Sequence, residues 1–146
     1  MRELHLAAVM GMVLLCAACS SGDSAHDMAG AISNTVIDSD LITESSGLAR
    51  SHRLPSVLWT HNDSGGNPQT YAVDTSGHFL GTLAITGALN LDWEDMASFV
   101  EDGTPRLVLA DIGDNSAFRP SITLYIVDEP ELEGLTAPFD LRTLPQ

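Results

Sequence analysis

Short β-type segments recur along this chain in the same order, with a spacing close to 50 residues. Tyr71 and Tyr125 occupy matching places in two cycles, 54 positions apart, and Ala49 and Ala97 do so 48 positions apart. The matching segments are residues 46–49, 57–60, 62–68 and 71–74 in the first cycle and residues 95–98, 107–110, 111–115 and 125–128 in the second. A repeat of this length limits the chain to architectures that assemble copies of one small unit.

The residue pattern between the turns predicts an all-β protein. Aliphatic runs are short, clusters of Gly, Asp, Asn and Ser separate them, and no segment keeps a helical period. With about four strands in each cycle, the repeat is typical of β-propeller blades, and the alternative is two meanders of a β-sandwich. Strands are predicted at residues 46–49, 57–60, 70–74, 80–85, 96–100, 106–110 and 123–127.

The number of cycles is small for a closed propeller. A propeller needs roughly four or more blades, whereas this chain of 146 residues holds about two cycles. Residues 141–146 show no closing strand. We therefore expect an incomplete propeller of about two blades from a fragment of a longer protein, with assembly from several copies as the alternative.

The N-terminal residues have the features of an export signal. Residues 6–15 are apolar, and Cys-Ala-Ala-Cys follows at residues 16–19. An apolar run of this length is too short for a permanent transmembrane helix. Small residues followed by Cys resemble the lipobox of bacterial lipoproteins, which implies cleavage after Ala18 and lipidation (palmitate) of Cys19. Cys16 departs from the usual Leu, and an ordinary secretory signal is the alternative.

This interpretation divides the chain into three parts. Residues 1–18 form the signal peptide, residues 19–34 a small, polar tether, and residues 35–146 the folded domain. The folded domain has no cysteine, so neither a disulfide nor thiol chemistry is expected there. Lipid on Cys19 predicts a bacterial cell-envelope protein that is extracytoplasmic and held to a membrane through its N-terminus.

The charge balance restricts the choice of partners. The net charge is −14, and every basic residue apart from His is an Arg. An acidic surface of this kind repels nucleic acid and anionic lipid. Bound cations or basic ligands are the partners that it favours.

Three acidic clusters, at residues 61–65, 92–95 and 111–115, are the best indication of a site. Neighbouring carboxylates repel one another unless a cation or hydrogen-bond donors compensate them. Loops of successive blades meet around a propeller's centre, and hard oxygen ligands suit Ca²⁺. The alternative is turn chemistry, because Asp and Asn bond their own backbone. The candidate metal ligands are Asp63, Asp92, Glu94, Asp95, Asp111, Asp114 and Asn115.

The sequence also predicts specific roles for four other residues near these clusters. Trp93 is interpreted as a packing residue that shares a strand face with Asp95, leaving Asp92 and Glu94 on the other face. Trp59 is expected to pack between blades. His61 and Arg119 are candidate ligand-binding residues, with a hydrogen-bonded turn histidine and a structural ion pair as their respective alternatives.

The motifs are Trp-Thr-His-Asn-Asp-Ser-Gly at 59–65, Tyr-Ala-Val-Asp at 71–74, Asp-Trp-Glu-Asp at 92–95 and Asp-Ile-Gly-Asp-Asn at 111–115, followed by Arg119 and Tyr125. They resemble a group of secreted, mostly uncharacterised bacterial β-propeller-like proteins, distantly similar to phytase-like and NHL-type propellers. The resemblance spans about residues 44–130. It implies a propeller outside the cytoplasm and, through the phytase-like relatives, calcium-dependent hydrolysis of phosphate esters.

Three functional hypotheses follow. The first is a lipid-anchored β-propeller-like binding or scaffold domain with a calcium-type site. The second is a metal-dependent, phytase-like phosphoesterase, and the third is a fragment without function. A phosphatase needs several cationic side chains to hold phosphate, and five Arg residues follow the signal peptide. This scarcity favours the binding domain, while enzymatic activity stays open.

Overall fold

The computed structural model describes residues 35–146. The predicted signal peptide (1–18), tether (19–34) and lipidation site (Cys19) lie outside these residues. The described chain is all-β, which confirms the predicted class, and it contains no helix that could cross a membrane. Its eight strands are β1 (Ser45–Arg50), β2 (Val57–Asn62), β3 (Gln69–Asp74), β4 (Phe79–Ile85), β5 (Trp93–Glu101), β6 (Thr104–Asp111), β7 (Thr123–Asp128) and β8 (Phe139–Thr143).

The strands form two sheets that follow each other along the chain. The first has the order β1-β2-β3-β4-β8 and the second the order β5-β6-β7. Within each sheet, strands that follow one another directly in the chain are antiparallel neighbours. All seven strands predicted from the sequence are present, and the repeated segments are the first, second and third strands of successive meanders.

β8 corrects the expectation that the last residues contain no strand. It pairs in parallel with β4. Phe139, Leu141 and Thr143 are half-buried, and the charged residues between them are exposed. A five-residue segment with two charges gives only a weak strand signal, so pairing with β4 decides its conformation.

Two tryptophans lie at the centre of the hydrophobic core. Trp59 on β2 and Trp93 at the start of β5 are both fully buried, as expected for packing residues. The Nε1–H of Trp59 donates to Oε1 of Glu129 over 2.9 Å. Glu129 follows β7 and is itself buried, so this hydrogen bond links the first sheet to the end of the second.

The two sheets meet along a seam between β1 and β5. Ser46 Oγ donates to the carbonyl oxygen of Glu94 over 3.0 Å, and Ser98 Oγ donates to that of Arg50 over 2.6 Å. These strands belong to different sheets, so side-chain hydrogen bonds and packing replace a backbone ladder between them.

A β-bulge at the start of β5 overturns one prediction about side-chain direction. The register with β6 shifts between Trp93 and Asp95. Trp93 and Met96 are buried, while Glu94 and Asp95 are both exposed. Trp93 and Asp95 therefore do not share a face, because the extra residue of a bulge interrupts the alternation of a strand.

Candidate metal centre

Three carboxylates from separate segments meet at one end of the two sheets. Asp63 directly follows β2, Asp92 directly precedes β5, and Glu94 lies in the bulge of β5. Each offers one oxygen atom, and these three atoms lie within 4.8 Å of one another. Two oxygens that each lie about 2.3–2.6 Å from one Ca²⁺ can be about 5 Å apart at most. The cluster therefore has the dimensions of a single-ion site.

Two of the three residues each have a buried carboxylate oxygen without a hydrogen-bond donor. These oxygens are Oδ1 of Asp63 and Oδ1 of Asp92, and the whole of Asp92 is only 9% exposed. A buried carboxylate oxygen that loses its water and gains no partner costs free energy. A cation bound by the carboxylates of Asp63 and Asp92 would compensate for the missing donors.

The loop after β6 fixes Asp92 in position. The backbone N–H of Asp92 donates to Oδ1 of Asp111 over 3.0 Å. Its carbonyl oxygen accepts the N–H groups of Ile112 and Gly113 at 3.2 and 3.1 Å. Its Oδ2 accepts the Nδ2–H of Asn115 at 3.3 Å. Oδ2 and the backbone are thus held by this loop, while Oδ1 remains available for a ligand.

Gly113 allows the loop to approach the carboxylates. A Cβ at this position would collide with the carboxylate groups of Asp92 and Glu94. Any other residue would push one of these side chains away. Gly113 was not among the residues predicted from the sequence, although its place between two acids of a cluster is a usable signal.

Asn90 connects Asp63 to β5. Asp63 donates its N–H to the carbonyl oxygen of Glu44 over 3.0 Å. Its own carbonyl accepts the Nδ2–H of Asn90 at 2.7 Å, and Oδ1 of Asn90 accepts the N–H of Trp93 at 3.3 Å. Asn90 was also missed in the sequence, where it reads as an ordinary turn residue.

Two predicted ligands, Asp111 and Asp114, are occupied by hydrogen bonds of the loop. Asp111 is almost fully buried, and its Oδ1 lies 2.7 Å from Nη2 of Arg119. Oδ1 of Asp114 accepts the N–H of Phe118 at 3.1 Å, and its Oδ2 accepts the N–H of Arg119 at 2.9 Å. Both carboxylates therefore stabilise the loop, and the structure does not bring them into the three-carboxylate cluster.

The remaining two predicted ligands, Asp95 and Asn115, lie at its edge. Asn115 contacts the cluster as a hydrogen-bond donor to Asp92. Asp95 is exposed, and its Oδ1 accepts the N–H of Met96 at 2.7 Å. Three of the seven predicted ligands are thus gathered with a geometry that suits an ion.

Turn chemistry also accounts for Asp74, an acid outside the three acidic clusters. Oδ1 of Asp74 accepts the N–H groups of His78 and Ser76 at 3.0 and 2.7 Å. The hydrogen bond from the backbone of His78 is the main cause that lowers the pKa of Asp74 below its ordinary value. Asp74 and Asp114 follow the alternative interpretation of the acidic residues, in which the carboxylate binds its own backbone.

Arg119 forms the structural ion pair that was one of its two expected roles. Besides Asp111, it donates from Nη1 to the carbonyl oxygen of Gly113 over 2.8 Å and from Nε to that of Ser121 over 2.9 Å. All three nitrogens of the guanidinium group are therefore engaged by the loop.

His61 lies within β2, which corrects its expected placement in a turn. It is fully buried, and its ring contacts the Trp93 ring edge to face, with centroids 5.5 Å apart. Nδ1 lies 2.8 Å from the carbonyl oxygen of Asn62. Nε2 faces Gly47, where a Cβ would lie 2.5 Å from it. These contacts make His61 part of the packing beneath the site.

A cavity of about 450 Å³ opens beside the carboxylates. Its walls combine the backbone and side chains of the loop after β6 with the segments on either side of the cluster. The lining residues are Ser64, Leu91, Asp92, Gly113, Asp114, Asn115, Ser116, Phe118, Arg119 and Pro120. Asp92 thus belongs to both the cluster and the cavity, so an ion held by Asp92 would be next to any molecule in the cavity.

No protein-family model, curated protein or solved structure matches this chain. The three carboxylates and the cavity beside them are therefore the basis for assigning a function.

Proposed function

We propose that this chain is a β-propeller-like binding or scaffold module that holds Ca²⁺ through Asp63, Asp92 and Glu94. One observation carries the proposal. The three carboxylates lie within reach of a single ion, and the Oδ1 atoms of Asp63 and Asp92 are buried without donors. Such an arrangement is unfavourable on its own and becomes favourable when a cation binds.

The donor set suits calcium better than a softer metal. All three ligands are carboxylate oxygens from loops and a bulge, and Ca²⁺ accepts six to eight oxygens in flexible geometry. The cluster contains neither His nor Cys, which zinc and copper prefer. Water or a bound molecule would complete the coordination from the side of the cavity.

Thermal unfolding tests the calcium site. At a free calcium concentration about one hundred times the Kd, we expect a stabilisation of about 3 kcal/mol. This corresponds to a rise in Tm on the order of 10 °C over the same protein in EDTA. Asp92→Asn should abolish the rise, whereas Asp140→Asn, which removes an exposed acid from β8, should keep it. An unchanged Tm in the parent protein would refute the site.

The propeller-like assignment rests on the placement of the repeated motifs. The cluster at residues 61–65 ends β2 and the cluster at residues 111–115 ends β6, which are matching strands of two successive meanders. This placement supports the proposed resemblance to the secreted propeller-like group, and with it an extracytoplasmic location.

The engagement of Arg119 favours binding over hydrolysis of phosphate esters. In the described part of the chain, Arg119 is the one basic residue that lines the cavity, and its guanidinium group is held by Asp111, Gly113 and Ser121. A phosphate in the cavity would find no free cation besides the metal. Calcium-dependent turnover of p-nitrophenyl phosphate that is lost in Asp92→Asn would overturn this choice.

Lipidation of Cys19 is the proposed means of attachment to the envelope. It rests on the sequence Cys-Ala-Ala-Cys at residues 16–19, after an apolar run. Cys19→Ala should release the protein from the membrane fraction of expressing bacteria, because a lipid chain provides the anchoring free energy. Cys16→Ala is the control and should remain in that fraction. Retention of Cys19→Ala in the membranes would contradict the assignment.

A further inference from the structure

An aromatic ring stands exposed at the wall of the cavity. Phe118 lines the cavity, yet 82% of its surface is accessible to solvent. Leu91, another lining residue, is 60% exposed. Polar side chains of Ser64, Asn115 and Ser116 share the same cavity. An exposed ring among polar groups offers a flat apolar surface to a ligand that also needs hydrogen bonds.

Hydrogen bonds of the loop hold the backbone that carries this ring. The Asp114 carboxylate accepts the N–H groups of Phe118 and Arg119, and the Asp114 carbonyl accepts the N–H of Ala117 at 2.9 Å. Ala117 has a φ of 54°, a left-handed conformation that is unfavourable for alanine. The hydrogen bonds around it maintain that conformation, so the backbone of Phe118 is positioned at the cavity before any ligand arrives.

The charge of the site selects against anionic ligands. Three carboxylates outweigh the two charges of one Ca²⁺, so the loaded site stays negative. Arg119 is already paired with Asp111 at 2.7 Å. The chain as a whole has a net charge of −14. A negatively charged ligand would be repelled, whereas neutral oxygen donors could still complete the coordination of the ion.

We propose that this cavity binds a neutral carbohydrate through the calcium ion. Two adjacent hydroxyl groups of the sugar occupy coordination positions that Asp63, Asp92 and Glu94 leave open, and the sugar ring packs on Phe118. The volume of about 450 Å³ falls within the range of small-molecule sites. This inference depends on the proposed calcium site, and it adds the class of ligand.

An array of immobilised neutral glycans, probed with the full-length protein in Ca²⁺ and in EDTA, tests the proposal. The array also carries sialylated and uronic-acid glycans. We expect binding to neutral glycans in Ca²⁺ and its loss in EDTA. Calcium-dependent binding confined to the acidic glycans, or to none of the glycans, would overturn the proposal.

Two variants separate the ring from the ion. Phe118→Ala should weaken glycan binding about five- to tenfold, because it removes the stacking surface, and should leave the calcium Kd unchanged. Val100→Ala, which truncates an exposed side chain near the other end of β5, is the matched control and should change neither. Equal glycan binding by Phe118→Ala and the parent would contradict the stacking role.

Calorimetric titration with CaCl₂ alone distinguishes failure of the carbohydrate inference from failure of the calcium site. If calcium binds and no neutral glycan does, the carbohydrate inference fails and the calcium site stands. If calcium itself does not bind, the proposed function fails together with the inference.

Discussion

At the end of β6 and in the loop after it, side chains of similar chemistry have different roles according to their hydrogen bonds. Asp111 pairs with Arg119, Asp114 caps the backbone of the loop, and Asn115 donates to Asp92. Among the acids of the three clusters, Asp63 and Asp92 are the ones with a buried oxygen that lacks a donor. The choice of ligands for the proposed calcium site therefore depends on which oxygens lack donors, more than on how many acids a motif contains.

Gly113 gives the sharpest prediction for a single residue. In Gly113→Ala, the new methyl group would force the carboxylates of Asp92 and Glu94 apart. We expect calcium affinity to fall at least about tenfold and unfolding in EDTA to become easier by about 1–3 kcal/mol. Calorimetric titration and urea unfolding measure the two effects.

Gly66→Ala provides the matched control for this change. A Cβ at Gly66 would meet its nearest neighbour, Nδ2 of Asn90, at 3.9 Å, which is an ordinary contact. Calcium affinity should therefore stay within about twofold of the parent value. If Gly113→Ala binds calcium as well as Gly66→Ala, the close approach of the loop has no role in the site.

The sequence predicted which residue types form the proposed site better than it predicted which individual residues belong to it. Asp63, Asp92 and Glu94 were among seven candidates, and their gathering depends on contacts between segments that are distant in sequence. Asn90 holds Asp63 next to β5 across 27 positions, and no local pattern reports this contact. Gly113 was missed because its requirement comes from neighbours in space.

Among the elements, period-two patterning and turn residues located seven of the eight strands. The signal is strong where buried residues alternate within a meander, as with Leu107 and Leu109 on β6. The signal fails for β8, because the strand propensity of its five residues is weak and its extended conformation depends on parallel pairing with β4. It also fails within β5, where the bulge at Trp93–Asp95 reverses the face that the following residues occupy.

The pair Asp92 and Glu94 follows the alternation that the sequence predicts. Positions two apart share a face of a strand, and the carboxylates of these two residues do lie close together. The bulge instead changes the position of Asp95, which is exposed together with Glu94 and does not share the buried face of Trp93.

For the molecule as a whole, Glu129 joins the two sheets from within the core. Its side chain is 1% exposed, and it accepts hydrogen bonds from Nε1 of Trp59 and the N–H of His52, at 2.9 and 3.0 Å. The first sheet supplies Trp59, and the turn after β1 supplies His52. Both donors lose their partner if this carboxylate is removed, which makes the sheets dependent on each other.

Glu129→Ala should therefore destabilise the whole domain. We expect a loss of about 3 kcal/mol, from two buried donors without acceptors and the space left by the side chain. Urea unfolding followed by the fluorescence of Trp59 and Trp93 measures this loss. Glu131→Ala, which removes an exposed partner of Arg53, should cost less than about 1 kcal/mol. A loss equally small in Glu129→Ala would show that the sheets do not rely on this contact.

The seam between β1 and β5 has a consequence for how the molecule resists force. Its strands are joined by two side-chain hydrogen bonds, at Ser46 and Ser98, whereas the strands within each sheet are joined by backbone ladders. Under a force that pulls the second sheet away from the first, this seam would part before either sheet. Asp63 follows a strand of the first sheet and Asp92 precedes a strand of the second. An ion bound by both carboxylates would therefore link the two sheets across the seam. Calcium would then set the mechanical strength of the domain.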